Sequence, residues 1–509
     1  MKTINNATLL KCTIGLLFLI LCASACRPSL NTSGALNNIV ASNTDTKNPK
    51  DSSKTNNIPS TNSALSDTLS WCDTLEQSSE RKIIVCFEKI GNTVKADKVG
   101  TIDVNPAALY TATLIDTSIQ KKLAYRVAIL LPFMSQGFQP APTAEIPSRS
   151  IKAVEFYEGV LMALDSLKAE GVSLFVNVFD SQRDSNTIKD IFNKRAFQEA
   201  DLIVGPLNSS LTKLVADYAK NNGKAMISPF NTREDLAFDN PYFIQVNPTF
   251  KVHSELIIQQ MYRLERNKDH IKNPLDKNFF VLGMQQDSLR IEQLQQSYAA
   301  YNNDQDARMS QLILNNPTID IETLQPKLDK SKLNIILIPS YQNEGFIYNA
   351  LREIQKLVDK VEPEKGYQIA LIGMDRWRYY SRINFEYFES MNLHFSSPFY
   401  IDLDNEAVQR FKSDYKAVYG IGTRQFGIIG FDVMLFFGRM MHQYGSNFQA
   451  HLWKQKANYK HTKFQFEADY IQLPAIDAAN PSSRAIFRNY ENKFLHFLQF
   501  KNYRLNPVN

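Results

Sequence analysis

Glycine is scarce in this 509-residue sequence, which has 19 glycines, about half the usual share for a protein. No G-x-x-x-x-G-K-[ST] loop and no complete G-x-G-x-x-G fingerprint occurs. The nearest run, residues 420–422, lacks the third glycine. The sequence therefore predicts no cradle for a nucleotide phosphate.

An excess of charge of one sign is also missing. Lysine and arginine together number 57, aspartate and glutamate number 52, and the formal net charge is +5. Basic and acidic residues are interspersed along the chain, whereas nucleic-acid-binding domains concentrate basic residues on one surface. No nucleic-acid partner is predicted.

Catalytic and metal-binding signatures are absent as well. The sequence has no H-E-x-x-H, no G-x-S-x-G and no cysteine with a plausible partner base, and its seven histidines are scattered singly. We therefore predict that the chain is not an enzyme and carries no metal or cofactor.

The composition of the main body is that of a globular protein, with 44% hydrophobic residues and 32 phenylalanines in the whole chain. Residues 27–66 differ, because serine, asparagine, threonine and lysine dominate them, which predicts a flexible linker. A small element of unknown role follows at 67–121. Within it, the alternating residues 82–87 predict a strand.

The first 26 residues have the pattern of a secretory signal. Lys2 and Lys11 precede the apolar run 14–21, which is short for a membrane span, and small residues then lead to Cys26. A signal peptide over 1–26 is therefore predicted.

Small residues directly before Cys26 resemble the lipobox of bacterial lipoproteins. The resemblance implies that Cys26 is acylated and anchors the chain in a lipid bilayer. Arg27 stands where inner-membrane retention uses aspartate, which implies the outer membrane, facing the periplasm. Because Ala23 replaces the commonest leucine, an ordinary signal-peptidase cut after Ala25 is the alternative.

Two cysteines, Cys72 and Cys86, remain outside the signal and the lipid site. In an oxidising compartment they predict a disulfide. Two buried free thiols are the alternative, because reduced cysteine packs as a small hydrophobe.

From Tyr125 onward, short apolar runs alternate with amphipathic helical periods such as 151–169 and 209–222. This order predicts an α/β fold with two doubly wound lobes, whose parallel sheets are buried on both faces. The predicted strands are 125–133, 174–180, 201–205, 225–228, 242–246, 279–283, 310–314, 334–339 and 368–374.

The order of several segments is similar to that of type I periplasmic-binding-protein domains, the architecture of branched-chain amino-acid receptors. The segments that carry the resemblance are 127–133, 156–165, 201–210, 226–229, 411–420 and 430–433. The resemblance covers 125–509, and it implies two lobes joined by a three-strand hinge in a domain at 122–509.

By the same resemblance, the first lobe is expected to comprise 122–248 and 376–400, and the second lobe 249–375 and 401–509. The chain is then expected to cross between the lobes near three segments, which are 247–250, 374–377 and 400–403.

Ligands of open parallel sheets bind beyond the carboxyl ends of the strands. In the first lobe, the candidates are Ser209 and Ser210, where a strand exit meets a helix start, and Ser228 and Thr232 at the next exit. The alternatives are N-capping for the first pair and turn formation for the second.

In the second lobe, Tyr341 and Asp375 follow predicted strands. The resemblance implies that an aromatic side chain covers the ligand and that an acid meets its ammonium group. For Asp375, an ion pair with the neighbouring Arg376 is an equally good interpretation.

Two functions follow from these observations. The first is a lipoprotein that clamps a small polar solute, such as an amino acid, a peptide or a cell-wall fragment. The second is a protein-interaction or regulatory lipoprotein that acts on an envelope protein without a small ligand. The long linker favours the second function, and the polar strand exits favour the first.

Overall fold

The computed structural model describes part of the chain. The described residues are 68–78, 81–90, 93–100, 117–136, 138, 145–264, 276–358, 366–473 and 484–508. They belong to two compact units, one within Met1–Pro106 and one within Ala107–Asn509. The predicted signal peptide, the acylation site Cys26 and the linker 27–66 lie outside the described residues.

The first unit contains an antiparallel sheet of β1 (Thr68–Ser78), β2 (Arg81–Ile90) and β3 (Thr93–Gly100). The strand predicted at 82–87 lies within β2 and is confirmed. The register of β1 and β2 places Cys72 directly opposite Cys86. The disulfide between them stays a prediction.

The second unit contains two sheets. Its strands are β4 (Tyr125–Leu131), β5 (Leu174–Asp180), β6 (Leu202–Val204), β7 (Ala225–Ser228), β8 (Phe243–Gln245), β9 (Lys277–Met284), β10 (Ser310–Leu314), β11 (Leu333–Leu337), β12 (Gln368–Ile372), β13 (His394–Ser397), β14 (Lys456–Asn458), β15 (Lys463–Leu473), β16 (Arg484–Asn492), β17 (His496–Lys501) and β18 (Arg504–Pro507).

Helices cover these sheets. They are α1 (Ser148–Ala169), α2 (Ser185–Phe192), α3 (Arg195–Gln198), α4 (Ser209–Asn221), α5 (Phe250–Met261), α6 (Ser288–Tyr301), α7 (Ile321–Leu324), α8 (Glu344–Gln355), α9 (Phe385–Ser390), α10 (Glu406–Tyr419) and α11 (Gln425–Tyr444). None of the helices in the described ranges is both long and apolar enough to cross a membrane.

Each of the two sheets of the second unit defines a lobe. The first lobe has eight strands in the order β14-β15-β16-β8-β7-β6-β4-β5, and the second has seven in the order β10-β9-β11-β12-β13-β17-β18. β4 to β8 are mutually parallel, as are β9 to β13, whereas β17 and β18 pair antiparallel. The predicted two-lobed α/β fold is confirmed, with mixed rather than purely parallel sheets.

The first lobe is held together by a close contact between α1 and α11. A Cβ atom on Gly430 would lie 2.0 Å from the carbonyl oxygen of Phe156, and one on Gly159 would lie 1.9 Å from that of Gly427. Only glycine permits this approach, and it buries much of α11 in the first-lobe core.

The predicted lobe boundaries are wrong in two places. Residues 376–400, expected in the first lobe, contain β13, which pairs with β12 of the second sheet. Residues 401–493, expected in the second lobe, contain α11 and β16, which pack within the first lobe because α11 lies against α1. Residues 494–508 return to the second lobe with β17 and β18.

The crossings between the lobes change accordingly. The chain crosses at 246–249, 398–405 and 493–495, so the crossing expected near 374–377 does not occur there. The start of the unit also differs from the predicted boundary at residue 122. His451 Nε2 lies 3.1 Å from the carbonyl oxygen of Thr117, and Gln120 forms a bridge with Gly445.

Candidate functional site

Ser228 ends β7 at the carboxyl edge of the first sheet. Its side chain is completely buried, and its Oγ has no hydrogen-bond partner within the described part of the chain. Leaving a buried hydroxyl unsatisfied costs about 1–3 kcal/mol, so such groups call for an explanation. Of the predicted site residues, Ser228 most clearly offers an unused polar group.

Ser209 and Ser210 lie at the neighbouring exit, at the start of α4, and both are exposed. Asn208, rather than a serine, caps this helix: its Oδ1 accepts a hydrogen bond from the Ser210 amide at 3.2 Å and from Ser210 Oγ at 3.0 Å. Asn208 is therefore the N-cap residue, and the two exposed serines at the sheet edge do not have that role.

Thr232 is exposed in the loop that follows β7. The neighbouring Asn231 is buried; its Nδ2 donates to Thr212 Oγ1 at 3.1 Å, and its Oδ1 accepts from the Arg233 amide at 3.1 Å. Asn231 thus forms this turn, a role that the sequence assigned to Thr232 as an alternative.

Asp375 follows β12 in the second lobe and is engaged within that lobe. Its carboxylate accepts a hydrogen bond from Ser397 Oγ at 3.3 Å, and Ser397 is buried at the end of β13. Burial raises the pKa of Asp375, although nearby Arg378 and the Ser397 hydroxyl act in the opposite direction.

Tyr341, at the exit after β11, is half-buried between two cations. The guanidinium carbons of Arg376 and Arg290 lie 5.2 Å and 5.5 Å from its ring centroid. Arg376 therefore lies over Tyr341. The sequence had offered an ion pair between Arg376 and Asp375 as the alternative. Burial raises the pKa of the Tyr341 hydroxyl, and the charge of Asp375 adds to the effect.

A further site residue, Lys152, escaped the sequence-based prediction. It is the fifth residue of α1, and its ammonium nitrogen is 3.7 Å from the ring centroid of Phe230 and 5.0 Å from that of Phe426. Burial lowers the pKa of Lys152 to about 8, with a smaller contribution from Arg183. No local spacing could have shown this, because the three segments are far apart in sequence.

The two lobes touch beside these strand exits. Gln293 of α6 donates from Nε2 to Glu234 Oε1 at 3.0 Å, and Glu234 lies in the loop after β7. At the first crossing, the Thr249 amide donates to Glu491 Oε1 at 2.6 Å. The two lobes are therefore in contact beside the carboxyl edges of their sheets near the first crossing, and the space between these edges is the candidate cleft.

The second lobe also contains a cavity of about 230 Å³. None of the predicted site residues lines it; its walls are Met374, Trp377, Arg378, Tyr379, Phe385, Phe388, Leu393, Phe395, Phe500, Tyr503 and Leu505. Among the described residues, no group of three or more histidine, cysteine, aspartate or glutamate side chains could hold a metal ion.

Solved structures share this architecture, although no protein-family model and no curated protein sequence matches the chain. A protein of Rhodospirillum rubrum assigned as a branched-chain amino acid ABC transporter is 14% identical, with a TM-score of 0.54 over 76% of this chain and 100% of that chain. A substrate-binding protein of Desulfitobacterium hafniense in complex with Leu is 14% identical, with a TM-score of 0.46 over 76% and 100%.

Full-length LpoA of Haemophilus influenzae is also 14% identical, with a TM-score of 0.47 over 79% of this chain and 62% of that chain. At these identities the likeness shows the fold alone. The second unit of this chain has the fold of type I periplasmic-binding-protein-like domains.

Proposed function

We propose that this protein is a non-catalytic, solute-binding lipoprotein that clamps a small polar ligand between its two lobes. The observation that carries the proposal is the buried hydroxyl of Ser228, which has no partner in the described chain at the edge of the first sheet. A ligand group that reached this edge could accept or donate the missing hydrogen bond.

The fold supports this proposal. In open α/β sheets, ligands bind beyond the carboxyl ends of the strands, and here the edges of both sheets border one cleft. The similar structure from Rhodospirillum rubrum is assigned to branched-chain amino acid transport. Accordingly, we propose an amino acid, a peptide or a cell-wall fragment as the ligand.

The proposed binding residues come from both lobes. Ser228, with the exposed hydroxyls of Ser209, Ser210 and Thr232, forms the first wall, and Tyr341 with Asp375 forms the second. Closure of the lobes by a hinge motion would bring the two walls together on the ligand.

Native mass spectrometry of the chain from residue 27 on tests this function, as purified and after addition of amino acids and muropeptides. We expect a small-molecule adduct that Ser228→Ala and Tyr341→Ala both weaken. Ser446→Ala is the matched control, because Ser446 Oγ is also buried without a described partner but lies after the far end of α11. An adduct that survives both site variants would contradict the proposed walls.

We also propose that acylated Cys26 anchors the protein to the outer membrane, facing the periplasm. Membrane fractionation of Cys26→Ala tests this anchor. Release of the variant into the soluble fraction is expected, and continued retention in the membrane would overturn the assignment.

The second candidate function is a protein-interaction or regulatory lipoprotein that acts on an envelope protein. The polar composition of residues 27–66 favours it, because a long linker extends the reach of an anchored domain. If no adduct forms with any compound of the panel, and the site variants give the same mass spectra as the unchanged protein, this function would be favoured over solute binding.

A further inference from the structure

Lys152 is a cation without an acidic partner among the residues that the structure describes. No carboxylate of the described chain lies within salt-bridge distance of its ammonium group, which instead rests 3.7 Å above the ring of Phe230. Glu155, one turn further along α1, has its contact with Arg424, whose Nε lies 3.5 Å from Glu155 Oε1. One oxygen of the acid closest along the helix is therefore engaged elsewhere, whereas its Oε2 is buried without a hydrogen-bond partner in the described ranges.

A second cation adds to the positive charge at this point. Arg183 follows β5, is exposed, and lies close enough to Lys152 to disfavour its protonation. Two neighbouring cations repel each other, and an anion bound between them would relieve that repulsion.

The start of α1 adds two more groups that suit an anion. Pro147 occupies the N-cap position of this 22-residue helix, and no side chain among the described residues caps it. Ser150, in the same first turn, is 1% exposed, and its Oγ has no hydrogen-bond partner in the described ranges. Helix N-termini carry a partial positive charge, so the start of α1 combines an uncapped helix end and an unsatisfied hydroxyl with a lysine two residues further on.

The second lobe also carries positive charge beside its strand exits. Arg376 and Arg290 flank Tyr341 at 5.2 Å and 5.5 Å. Asp375, the acid expected to meet a ligand ammonium group, lies 3.3 Å from Ser397 Oγ, a hydroxyl that also lies 2.9 Å from the Phe399 carbonyl oxygen. Arg290 also lies 3.7 Å from the Asp287 carboxylate, so the cations that remain without a described carboxylate partner are Lys152 on the first lobe and Arg376 on the second.

We infer that the cleft binds an anionic ligand, whose carboxylate or phosphate oxygens dock on Lys152, Ser150 and the amino end of α1. The inference rests on the proposed solute-binding function, and it narrows the ligand class from zwitterions to acids. A free amine on the ligand is not required.

Acetylation of lysine by an N-hydroxysuccinimide ester, read out site by site by peptide mass spectrometry, tests the inference on the chain from residue 27 on. The probes are sodium phosphate and sodium acetate, each compared with sodium chloride at equal ionic strength. We expect phosphate, acetate or both to slow acetylation of Lys152 about threefold or more, since an occupied site withholds its amine. Lys194 is the matched control, because it also lies near an aromatic ring, 6.0 Å from that of Phe179.

The probes separate the ligand sources. Protection by phosphate alone would identify a phosphorylated ligand, and protection by both anions would include carboxylic acids. Equal acetylation of Lys152 in phosphate, acetate and chloride would overturn the inference. That outcome is distinguishable from failure of the proposed function, because a neutral or zwitterionic adduct sensitive to Tyr341→Ala would still appear by native mass spectrometry.

A variant series gives the second readout. Lys152→Arg keeps the cation and should keep anion-dependent thermal stabilisation by phosphate or acetate, whereas Lys152→Gln should lose it. Loss in both variants, with unchanged melting temperatures in chloride, would contradict docking on the charge.

Discussion

The carboxyl edges of the two sheets place serines at equivalent strand exits but satisfy them differently. In the second lobe, Ser340 Oγ donates to the buried carboxylate of Asp287, and the Ser340 carbonyl accepts from Trp377 Nε1 at 2.9 Å. In the first lobe, Ser228 Oγ has no partner within the described ranges.

This difference indicates distinct duties for the two walls. An internal network fixes the backbone of the second wall before any ligand arrives, because its polar groups already have partners. The first lobe keeps the hydroxyl of Ser228 in the first wall, and the Ser150 hydroxyl and Lys152 ammonium group at the start of α1, without acidic or hydroxyl partners in the described chain. The first wall is therefore the one whose polar groups a ligand would satisfy.

The helix contact beneath the first wall should be the most sensitive to substitution. In Gly430→Ala, the new Cβ would lie 2.0 Å from the Phe156 carbonyl oxygen, so α11 must move away from α1. We expect a loss of about 2–3 kcal/mol in the free energy of unfolding, measured by urea denaturation.

Gly345→Ala in the second lobe is the control for this prediction. Its new Cβ would meet only Asn343 Oδ1 at 3.6 Å, an ordinary contact. Equal stability of the two variants would show that the packing of α11 on α1 is not what holds the first lobe together.

The next largest effect should be a difference in stability between the alanine variants of Ser340 and Ser228. Ser340→Ala removes the hydroxyl that donates to the buried Asp287 carboxylate and leaves it only the Met284 amide, at 3.1 Å, as a described hydrogen-bond donor. We expect the change to cost about 1–3 kcal/mol in the free energy of unfolding. Ser228→Ala removes a hydroxyl without a described partner and should leave stability unchanged or slightly higher. A large loss for Ser228→Ala would indicate that its hydroxyl is already satisfied.

The smallest effect should be a pH dependence of opposite sign in the two lobes. In the second lobe, burial raises the pKa of Asp375 above the ordinary 3.8, so its contribution to stability is fully present below that value and is lost as pH rises through the folded pKa. In the first lobe, Arg488 and Lys493 outweigh burial and lower the pKa of Asp469, so its contribution is present above 3.8 and is lost as pH falls.

Urea denaturation of Asp375→Asn and Asp469→Asn, at neutral pH and just below 3.8, measures this contrast. Relative to the unchanged protein, the free energy of unfolding of Asp375→Asn should be highest at neutral pH. That of Asp469→Asn should be lowest at neutral pH. If the change in the free energy of unfolding varied with pH in the same direction for both variants, the environments assigned to the Asp375 and Asp469 carboxyl groups would be contradicted.

The sequence predicted the local elements well, because apolar strand runs and helical periods depend on neighbouring residues. The strand at 225–228 and the helix at 209–222 both occur as expected, within one residue. Lobe membership of 401–493 could not be predicted in the same way. It depends on the approach of Gly430 to Phe156, residues that are far apart in sequence.

The candidate site was predictable only in part. Strand ends indicated Ser228, Tyr341 and Asp375, since ligand sites of parallel sheets lie at those ends. The partners of these residues were not predictable, because they come from other segments, as with Ser397 of the adjacent strand beside Asp375. For the same reason, nothing in its local sequence distinguished Lys152 from an ordinary helix lysine.

Hydrogen–deuterium exchange can show whether both lobes close on a ligand. Exchange would be compared with and without the amino acid and muropeptide panel for peptides that cover the exits after β7 and β11. The account predicts that the exits bearing Ser228 and Tyr341 become protected together. Protection confined to one lobe, or absent from both, would contradict it.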